Sequence, residues 1–399
     1  MSEGSDLPII IAGGGIGGLA TALALARKGR ASCVLEQNPD FAEVGAGIQI
    51  GTNVFKMFDV LGLTEAITAI AFFPESLVMK DGLTGNEITR LPVGSAEFRA
   101  RYRYPYGVIY RVDLLQVLLA ACRDTGLVAL RTGKKVVDFV DSGDRVAVAT
   151  ADGETLEGCA LIGADGLWSR LRERIVGDGK PRVSGHIAYR AVLPIGEVEE
   201  EFRPNSVVLW AGPKTHLVHY PLRRGELFNL VAVFHSDRYE EGWNVFGDTG
   251  ELDLRFSNAH PTVKFLLAKI NQWKMWVLCD REPVRSWTHG RVTLVGDAAH
   301  PMLQYLAQGA GMAHEDAVVL AHHVAAAGDD YVAAFRAYNE ARYLRTARVQ
   351  LYARLYGDFY HAEGVRAELR NELLKPPPGK KTGEGMAWLY DGIPDFASG

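Results

Sequence analysis

Short apolar runs alternate with helix-like segments in the first part of the chain. The run Ile9–Ala12 is typical of a buried strand, and Leu19 to Lys28, rich in Ala and Leu, predicts a helix after it. Ser32 to Leu35 predicts a second strand, which ends at the acidic residue Glu36. Strands that alternate with helices in this way predict an α/β unit with a parallel sheet.

The pattern changes between about Val183 and Val284, where the helical signal fades. Strand candidates are separated there by Gly, Pro and charged turns, and one helical segment, roughly Gly250 to Ile270, interrupts them. The candidates are Ser206–Trp210, Thr215–Tyr220, Leu227–Phe234 and Trp273–Cys279. This stretch predicts a mostly antiparallel sheet inserted into the α/β unit.

After the insertion the chain returns to the first pattern. Arg291 to Val295 predicts a buried strand that ends at Gly-Asp, and helices are predicted from about Met312 to Ala326 and from Tyr331 to about Tyr360. We interpret the arginines of the second helix as a solvated face.

The expected fold is therefore α/β: a Rossmann-like nucleotide-binding domain with an inserted, mostly antiparallel β-sheet domain for the substrate and a helical C-terminal region. The predicted boundaries are 1–182 for the first part of the nucleotide-binding domain, 183–285 for the sheet domain, 286–350 for the return segment and 351–399 for the C-terminal helices and tail.

Composition narrows the class of protein. The 399 residues carry a formal net charge of -5, with 43 basic and 48 acidic residues well mixed, which argues against a nucleic-acid partner. The sequence shows no signal segment and no apolar run of about 18 residues, so we expect a cytoplasmic protein without a transmembrane segment. The cysteines lie far apart without a C-x-x-C pair, so no metal site or redox dithiol is predicted; they are Cys33, Cys122, Cys159 and Cys279.

The first strand ends in glycines with the spacing G-x-G-x-x-G, namely Gly13, Gly15 and Gly18. Such glycines allow a tight turn and a close approach to a pyrophosphate, and the following helix N-terminus offers free amide donors. Glu36, at the end of the second strand, stands where a carboxylate would accept hydrogen bonds from ribose hydroxyls. The alternative is an ordinary solvated strand end.

Further turns of this kind follow along the chain. One predicted strand ends at Asp165-Gly166 and another at Gly296-Asp297, and a glycine-punctuated loop precedes the helix that begins near Met312. Arg111 lies where a predicted strand meets a helix. Its cation could contact a phosphate, or the residue could cap the helix; residue type alone leaves both alternatives open.

The predicted strand Thr215–Tyr220 carries polar side chains on both faces. His216, Val218 and Tyr220 share one face of a flat strand, and His219 takes the other. This face is suited to forming one wall of a site for an aromatic ligand. The alternative is an ordinary sheet face with one satisfied His and one Tyr.

The three turns, at Gly13 to Gly18, at Gly163 to Gly166 and at Gly296 to Pro301, stand in an order that resembles the single-component flavoprotein aromatic hydroxylases. This group includes para-hydroxybenzoate and salicylate hydroxylases, and the resemblance covers essentially the whole chain. It implies a bound FAD and transient use of NADH, with NADPH as the alternative. The FAD-contacting residues implied by the resemblance are Gly13, Gly15, Gly18, Glu36, Arg111, Asp165, Gly166, Asp297, Gly309 and Gly311.

Within the group the segments 212–222 and 300–309 are most similar to the 3-hydroxybenzoate 6-hydroxylases. That likeness implies that His216, Tyr220 and Gln304 surround the substrate and carry the catalytic roles. Rival interpretations are a salicylate 1-hydroxylase, which releases carbon dioxide, and a hydroxynicotinate hydroxylase. A rival that is not an enzyme is an FAD-binding redox sensor.

The reaction implied by this resemblance converts 3-hydroxybenzoate, NADH and O2 to 2,5-dihydroxybenzoate (gentisate), NAD and water, by way of a flavin 4a-hydroperoxide. We expect His216 and Tyr220 to hydrogen-bond the substrate hydroxyl and draw its proton away. Residues four apart on a flat strand lie about 13 Å apart, so the two side chains must lean together or only one touches the hydroxyl. The sequence identifies no arginine for the substrate carboxylate. The long helical C-terminal region could support a homodimer.

Overall fold

The computed structural model describes residues 7–42, 45–236, 245–375 and 384–394. The strands in these ranges are β1 (Ile9–Ala12), β2 (Ser32–Leu35), β3 (Gly47–Ile50), β4 (Ser76–Asp81), β5 (Glu87–Leu91), β6 (Gly107–Tyr110), β7 (Val128–Arg131), β8 (Val136–Asp141), β9 (Val146–Thr150), β10 (Thr155–Gly158), β11 (Ala160–Gly163), β12 (Arg182–Pro194), β13 (Ser206–Gly212), β14 (Thr215–Leu222), β15 (Leu227–His235), β16 (Lys274–Asp280), β17 (Thr288–His289) and β18 (Val292–Leu294).

The helices in the same ranges are α1 (Ile16–Arg27), α2 (Thr52–Leu61), α3 (Thr64–Ile70), α4 (Ala96–Tyr102), α5 (Arg111–Asp124), α6 (Arg170–Ile175), α7 (Thr249–Arg255), α8 (Pro261–Ala268), α9 (Gly309–Ala327), α10 (Tyr331–Tyr360), α11 (Val365–Leu374) and α12 (Ala387–Tyr390). None of these helices combines the length and apolar character that a membrane crossing requires.

A six-stranded sheet with the order β17-β18-β11-β1-β2-β7 forms the centre of the first unit. All neighbours in it are parallel except β17 and β18. The isoleucines of β1 are almost fully buried, as expected for a parallel sheet covered on both faces. The α/β class predicted from the sequence is confirmed.

A second sheet has seven strands in the order β16-β12-β15-β14-β13-β4-β5. Every pair in it is antiparallel except β4 and β13, which agrees with the predicted mostly antiparallel sheet. Strands β4 and β5 come from the segment 76–91, which the sequence assigned to the nucleotide-binding part. The fourfold division of the chain stays a proposal.

The segment from about Gly250 to Ile270 is helical as predicted, but it forms two helices, α7 and α8. The second begins at Pro261, whose fixed φ suits a first helical position. The ring of His260 accepts a hydrogen bond from the backbone N–H of Thr262 at 3.3 Å. The His-Pro pair is the local signal that separates the helices.

The arginines of α10 are not all on a solvated face, and that interpretation is wrong for Arg342. Its side chain is fully buried. Its Nε donates to Asp316 Oδ1 and its Nη1 to Glu315 Oε2, both at 2.7 Å. Arg345 adds a second guanidinium to Glu315. A buried arginine is tolerated here because two carboxylates of α9 neutralise it.

The same carboxylates tie further elements together. Asp316 accepts from the backbone N–H of Gly296 at 2.9 Å, and Asn53 at the start of α2 donates to Glu315 at 2.9 Å. Burial alone would raise the pKa of Asp316, but the charges of His300 and Arg342 hold it at about 2. Helices α2, α9 and α10 and the turn at Gly296 therefore share one buried ionic network.

Candidate functional site

The glycine turn after β1 brings three backbone segments into close contact. Gly13 has a φ of +117°, and a Cβ on it would lie 2.2 Å from the carbonyl oxygen of Ala164. A Cβ on Gly18 would lie 1.9 Å from the carbonyl oxygen of Gly13. Helix α1 begins just after Gly15, which has no side chain to cap its amides. This arrangement fits a pyrophosphate at the N-terminus of α1.

Glu36 lies at the end of β2 and is nearly buried. Its Oε2 accepts from the backbone N–H of Gly14 at 2.9 Å. Its Oε1 accepts from the backbone N–H and the side-chain amide of Asn38, at 2.9 and 2.7 Å. The carboxylate therefore holds the glycine turn in place, and the predicted ribose contact, which stays a prediction, would share these oxygens.

Asp297 lies in a 3-10 turn, Gly296–Ala298, directly after β18. Its side chain is exposed to solvent, yet the surrounding protein desolvates it and raises its pKa, while the charges of His300 and Arg111 oppose the rise. An accessible carboxylate surrounded by protein in this way is available to a ligand, and we call the space in front of it the groove. A Cβ on Gly309, the first residue of α9, would lie 3.8 Å from Asp297 Oδ1, so this helix N-terminus borders the same groove.

Gly311 lies in the first turn of α9 and is buried. A Cβ on it would lie 2.6 Å from Gln308 Oε1 and 2.9 Å from a methyl group of Val54. The described contacts therefore account for this glycine by close packing against α2. Its predicted flavin contact stays a prediction.

Arg111 is the first residue of α5, and its backbone N–H donates to the carbonyl of Ala46 at 2.9 Å. The N-cap position of this helix is Tyr110, and a cation at a helix N-terminus is disfavoured by the helix dipole. The charge of Arg111 lowers the pKa values of Asp297 and Arg190. The cap position of this helix therefore belongs to Tyr110, and the predicted FAD contact of Arg111 stays a prediction.

Asp165 and Gly166 follow β11. Asp165 accepts from the Ser169 hydroxyl at 2.6 Å and from the backbone N–H of Arg170 at 3.0 Å, so its carboxylate holds the start of α6. Burial raises the pKa of Asp165, and these hydrogen bonds oppose the rise. Gly166 has a φ of +77° and faces open space. The structure thus gives Asp165 a structural role beside its predicted cofactor role, which stays a prediction.

The register of β14 places the predicted substrate residues on one face of the second sheet. His216 pairs with Val233 and Tyr220 with Asn229, while Val218 lies between them and pairs with Val231. On the opposite face His219 accepts from the indole N–H of Trp210 at 3.0 Å. Val218 and Val231 form an apolar surface between the two polar side chains, and we call this pair the valine floor.

Arg190 completes the polar frame of the valine floor, and it is not among the site residues predicted from the sequence. It lies on β12 and pairs with Val231 of β15. Its Nη2 donates a hydrogen bond to Gln304 Oε1. Its Nε is buried and has no hydrogen-bond partner within the described part of the chain. Burial lowers the pKa of Arg190 to about 10, the charge of Tyr220 opposes this, and Arg111 adds to it. The available signal was an arginine within the mostly apolar second half of β12.

His216 is buried and its Nδ1 is engaged by His361 Nε2 at 2.7 Å. The rings of Tyr305 and Tyr360 each lie 5.6 Å from it, centroid to centroid. Burial, with a smaller effect from His186, lowers the pKa of His216 to about 3. The ring is therefore neutral, and Nε2 is the nitrogen left for a ligand.

Tyr220 is buried beside Gly47, where a Cβ would lie 2.8 Å from its hydroxyl oxygen. Burial raises its pKa, and the charge of Arg190 opposes the rise. Tyr220 therefore stays protonated near neutral pH and acts as a hydrogen-bond donor. Together with Gln304 these groups frame an apolar surface with donors and one cation, which suits an anionic aromatic ring.

Comparison with known proteins identifies the family of the chain. Residues 6–350 match the family described as FAD binding domain. The chain is 47% identical to 3-hydroxybenzoate 6-hydroxylase 1 of Aquipseudomonas alcaligenes over 96% of this chain and 97% of that protein. It is 44% identical to the 3-hydroxybenzoate 6-hydroxylase of Polaromonas naphthalenivorans (strain CJ2), over 97% and 96%. Among solved structures, HpxO of Klebsiella pneumoniae with FAD and uric acid superposes with a TM-score of 0.84 at 26% identity, covering 96% of each chain.

Replacing Gly18 by Ala tests whether this turn holds the cofactor. The new Cβ would meet a backbone carbonyl at 1.9 Å, and relieving such overpacking costs about 1–3 kcal/mol, or roughly 5- to 150-fold in the FAD dissociation constant. Gly17→Ala is the matched control, because its Cβ would meet only the Ala313 methyl at 3.4 Å. The measurement is FAD titration of the apoprotein, with thermal melting to check folding. Equal FAD affinity in the two variants would contradict this role.

Proposed function

Since the chain belongs to the FAD-binding-domain family, we propose that it is a flavin-dependent monooxygenase that acts on 3-hydroxybenzoate. The reaction converts 3-hydroxybenzoate, NADH, a proton and O2 to 2,5-dihydroxybenzoate (gentisate), NAD and water. The observation that carries this proposal is the valine floor framed by His216, Tyr220 and Arg190. The names of the two 3-hydroxybenzoate 6-hydroxylases support the same substrate.

A bound FAD would take up electrons from the nicotinamide and would transfer one oxygen atom of O2 to the ring. Gly13, Gly15 and Gly18 would hold its pyrophosphate, where the close backbone crossings leave the amides of α1 open. Asp297 and the amide of Gly309 would border the flavin end of the groove. The sequence has one G-x-G-x-x-G turn of this type, at β1, so we propose that NADH binds transiently; NADPH is the alternative.

The substrate ring would lie over the valine floor. Arg190 offers its unpaired Nε to the carboxylate, and its hydrogen bond with Gln304 fixes its direction. Val218 lies about 7 Å along the strand from each of His216 and Tyr220. A hydroxyl above Val218 would be within reach of both long side chains when they lean inward, as the spacing along the strand requires.

The polar frame would then activate the ring. Neutral His216 accepts a hydrogen bond from the hydroxyl through Nε2 and takes the proton only as the ring is attacked, because its low pKa disfavours an imidazolium before that. Protonated Tyr220 donates a hydrogen bond to the same oxygen. An oxygen that gains phenolate character raises the electron density at the ring carbons ortho and para to it. In 3-hydroxybenzoate the para carbon is carbon 6, so oxygen transfer there gives gentisate. Burial of the site excludes water, which protects the oxygen donor from side reactions.

Salicylate is the second candidate substrate, and the frame disfavours it. Arg190 lies on β12, two strands away from His216 on β14, with Val231 and Val233 of β15 between the two strands. The carboxylate and hydroxyl of 3-hydroxybenzoate are separated by a ring carbon and can use these separate partners. In salicylate the carboxylate and the hydroxyl are adjacent and form a hydrogen bond with each other. They would therefore leave either Arg190 or His216 without a hydrogen-bond partner.

Two further properties remain proposals. The cysteines Cys33, Cys122, Cys159 and Cys279 are all free and buried, which supports the predicted cytoplasmic location. The predicted homodimer is supported by apolar side chains on one exposed face of α11, where Val365, Leu369 and Leu373 are 78%, 57% and 61% exposed.

Product analysis tests the proposed reaction. The purified FAD-bound protein is supplied with NADH, O2 and 2-, 3- or 4-hydroxybenzoate in turn, and NADH oxidation and products are followed. We expect coupled oxidation with 3-hydroxybenzoate and gentisate as the product. Catechol and carbon dioxide from 2-hydroxybenzoate would favour salicylate 1-hydroxylation, and the absence of any aromatic-stimulated NADH oxidation would indicate a redox sensor.

Replacing His216 by Ala should lower the hydroxylation rate about 100-fold or more, the usual cost of losing a general base, while FAD stays bound. His219→Gln is the matched control, because His219 lies on the opposite face of the same strand. The ratio of gentisate formed to NADH consumed is measured together with FAD content. Full coupled hydroxylation by His216→Ala would show that the base lies elsewhere.

Replacing Arg190 by Gln should weaken binding of the substrate carboxylate. Loss of a charged hydrogen bond costs about 1.5–3 kcal/mol, or roughly 10- to 150-fold in dissociation constant. The control ligand is 3-hydroxybenzamide, which keeps the hydroxyl and ring but carries no charge. Flavin absorbance titrations with both ligands give the comparison. If both ligands lose the same affinity, Arg190 does not recognise the carboxylate.

A further inference from the structure

Three histidines converge at one end of the second sheet, beside His216. His186 on β12 pairs with His235 on β15, and His361 follows α10 directly. One ring nitrogen from each of these three residues lies within 4.8 Å of the other two. The rings of His186 and His235 stack at 4.2 Å, and His361 packs against both at 4.8 and 4.9 Å between centroids. We call His186, His235 and His361 the histidine triad.

The hydrogen bonds of the triad leave one nitrogen of each ring turned inward. His361 Nδ1 faces His235 Nε2 at 3.0 Å, and the other nitrogen of His361 is engaged by His216 at 2.7 Å. His186 Nδ1 bonds the hydroxyl of Tyr305, which leaves its Nε2 for a ligand. Histidines that bind metals nearly always have their second nitrogen held by such an outer partner.

The electrostatic setting also suits a cation. Burial, with the charge of His235 beside it, lowers the pKa of His186 to about 4. Burial and neighbouring charges also lower the pKa values of His235 and His361. Neutral imidazoles are the form that binds metals, so no proton has to be removed from an imidazolium near neutral pH. Asp358 and Glu363 act on His235 with negative charge, against the positive charges of Lys214 and Arg255.

We propose that the histidine triad binds one divalent transition-metal ion of the Zn2+ class. Three imidazoles with a fourth position open to water form a known donor set for this ion, whereas Mg2+ and Ca2+ prefer oxygen ligands. At Zn–N distances of about 2.0–2.1 Å, tetrahedral geometry separates two nitrogens by about 3.3 Å. The 3.0 Å contact between His361 and His235 therefore opens by only a few tenths of an ångström.

The ion would take the place of the hydrogen bond between His361 Nδ1 and His235 Nε2, and the proton of that bond would move to the other nitrogen of the ring that carries it. It would also fix the ring of His361, whose other nitrogen holds His216. If His216 acts as proposed above, metal binding is linked to the substrate side of the sheet; that link alone rests on the proposed function. No local motif indicates this site, since the residues are spread over three separate segments.

The test is zinc binding by the FAD-bound protein after chelator treatment, measured by isothermal titration and by metal analysis after dialysis. We expect one zinc per chain and a higher melting temperature with zinc. His186→Asn and His235→Asn should each weaken binding more than about 100-fold, because even outer partners contribute about 10–100-fold. Tyr305→Phe, which removes one outer partner, should fall in that lower range.

His289→Asn is the control, since His289 is exposed on β17, away from the triad. It should bind zinc like the unmodified chain. FAD content and melting temperature without zinc show that each variant is folded. No stoichiometric zinc in the unmodified protein, or equal zinc affinity in both triad variants and the control, overturns the proposal. Gentisate formation by the metal-free protein is scored separately, so failure of the metal site is distinguishable from failure of the proposed reaction.

Discussion

The buried contact of Arg342 with Glu315 and Asp316 is the constraint on which the groove depends. Buried charges are stable only when their partners are held at hydrogen-bond distance. This contact therefore fixes how α9 packs against α10. Asp316 also accepts from the backbone of Gly296, which sets the turn that carries Asp297. The position of a carboxylate in the groove is thus fixed by an ionic contact behind it.

The second sheet applies the same principle to a substrate. Its polar side chains are placed by strand register around two valines, and their burial decides their protonation: His216 stays neutral, Tyr220 keeps its proton, and Arg190 remains a cation with a lowered pKa. Protein packing therefore prepares acceptor, donor and counter-ion before any ligand arrives. This preorganisation is what a static sheet can contribute to catalysis.

Local signals in the sequence predicted much of this. The glycine turn at Gly13 to Gly18 and the alternation of His216, Val218 and Tyr220 depend on neighbours a few residues away, and strand register bears out the alternation. The ionic partner of Arg342 and the pairing of Arg190 with Gln304 could not be predicted, because the partners lie 26 and 114 residues away. The break between α7 and α8 could have been predicted, because the proline at 261 is a local signal for the start of a helix.

The second sheet pairs strands that lie far apart in the sequence, which affects the order in which the chain can fold. Strand β4 lies parallel to β13 and pairs with it from Ser76 to Asp81. Because β13 is synthesised more than a hundred residues after the β4–β5 hairpin, the hairpin has no strand partner on that side during this part of synthesis. Until then it presents an open edge. The second sheet can therefore form only after β13 has been synthesised, and the first sheet is completed later still, when β18 joins β11.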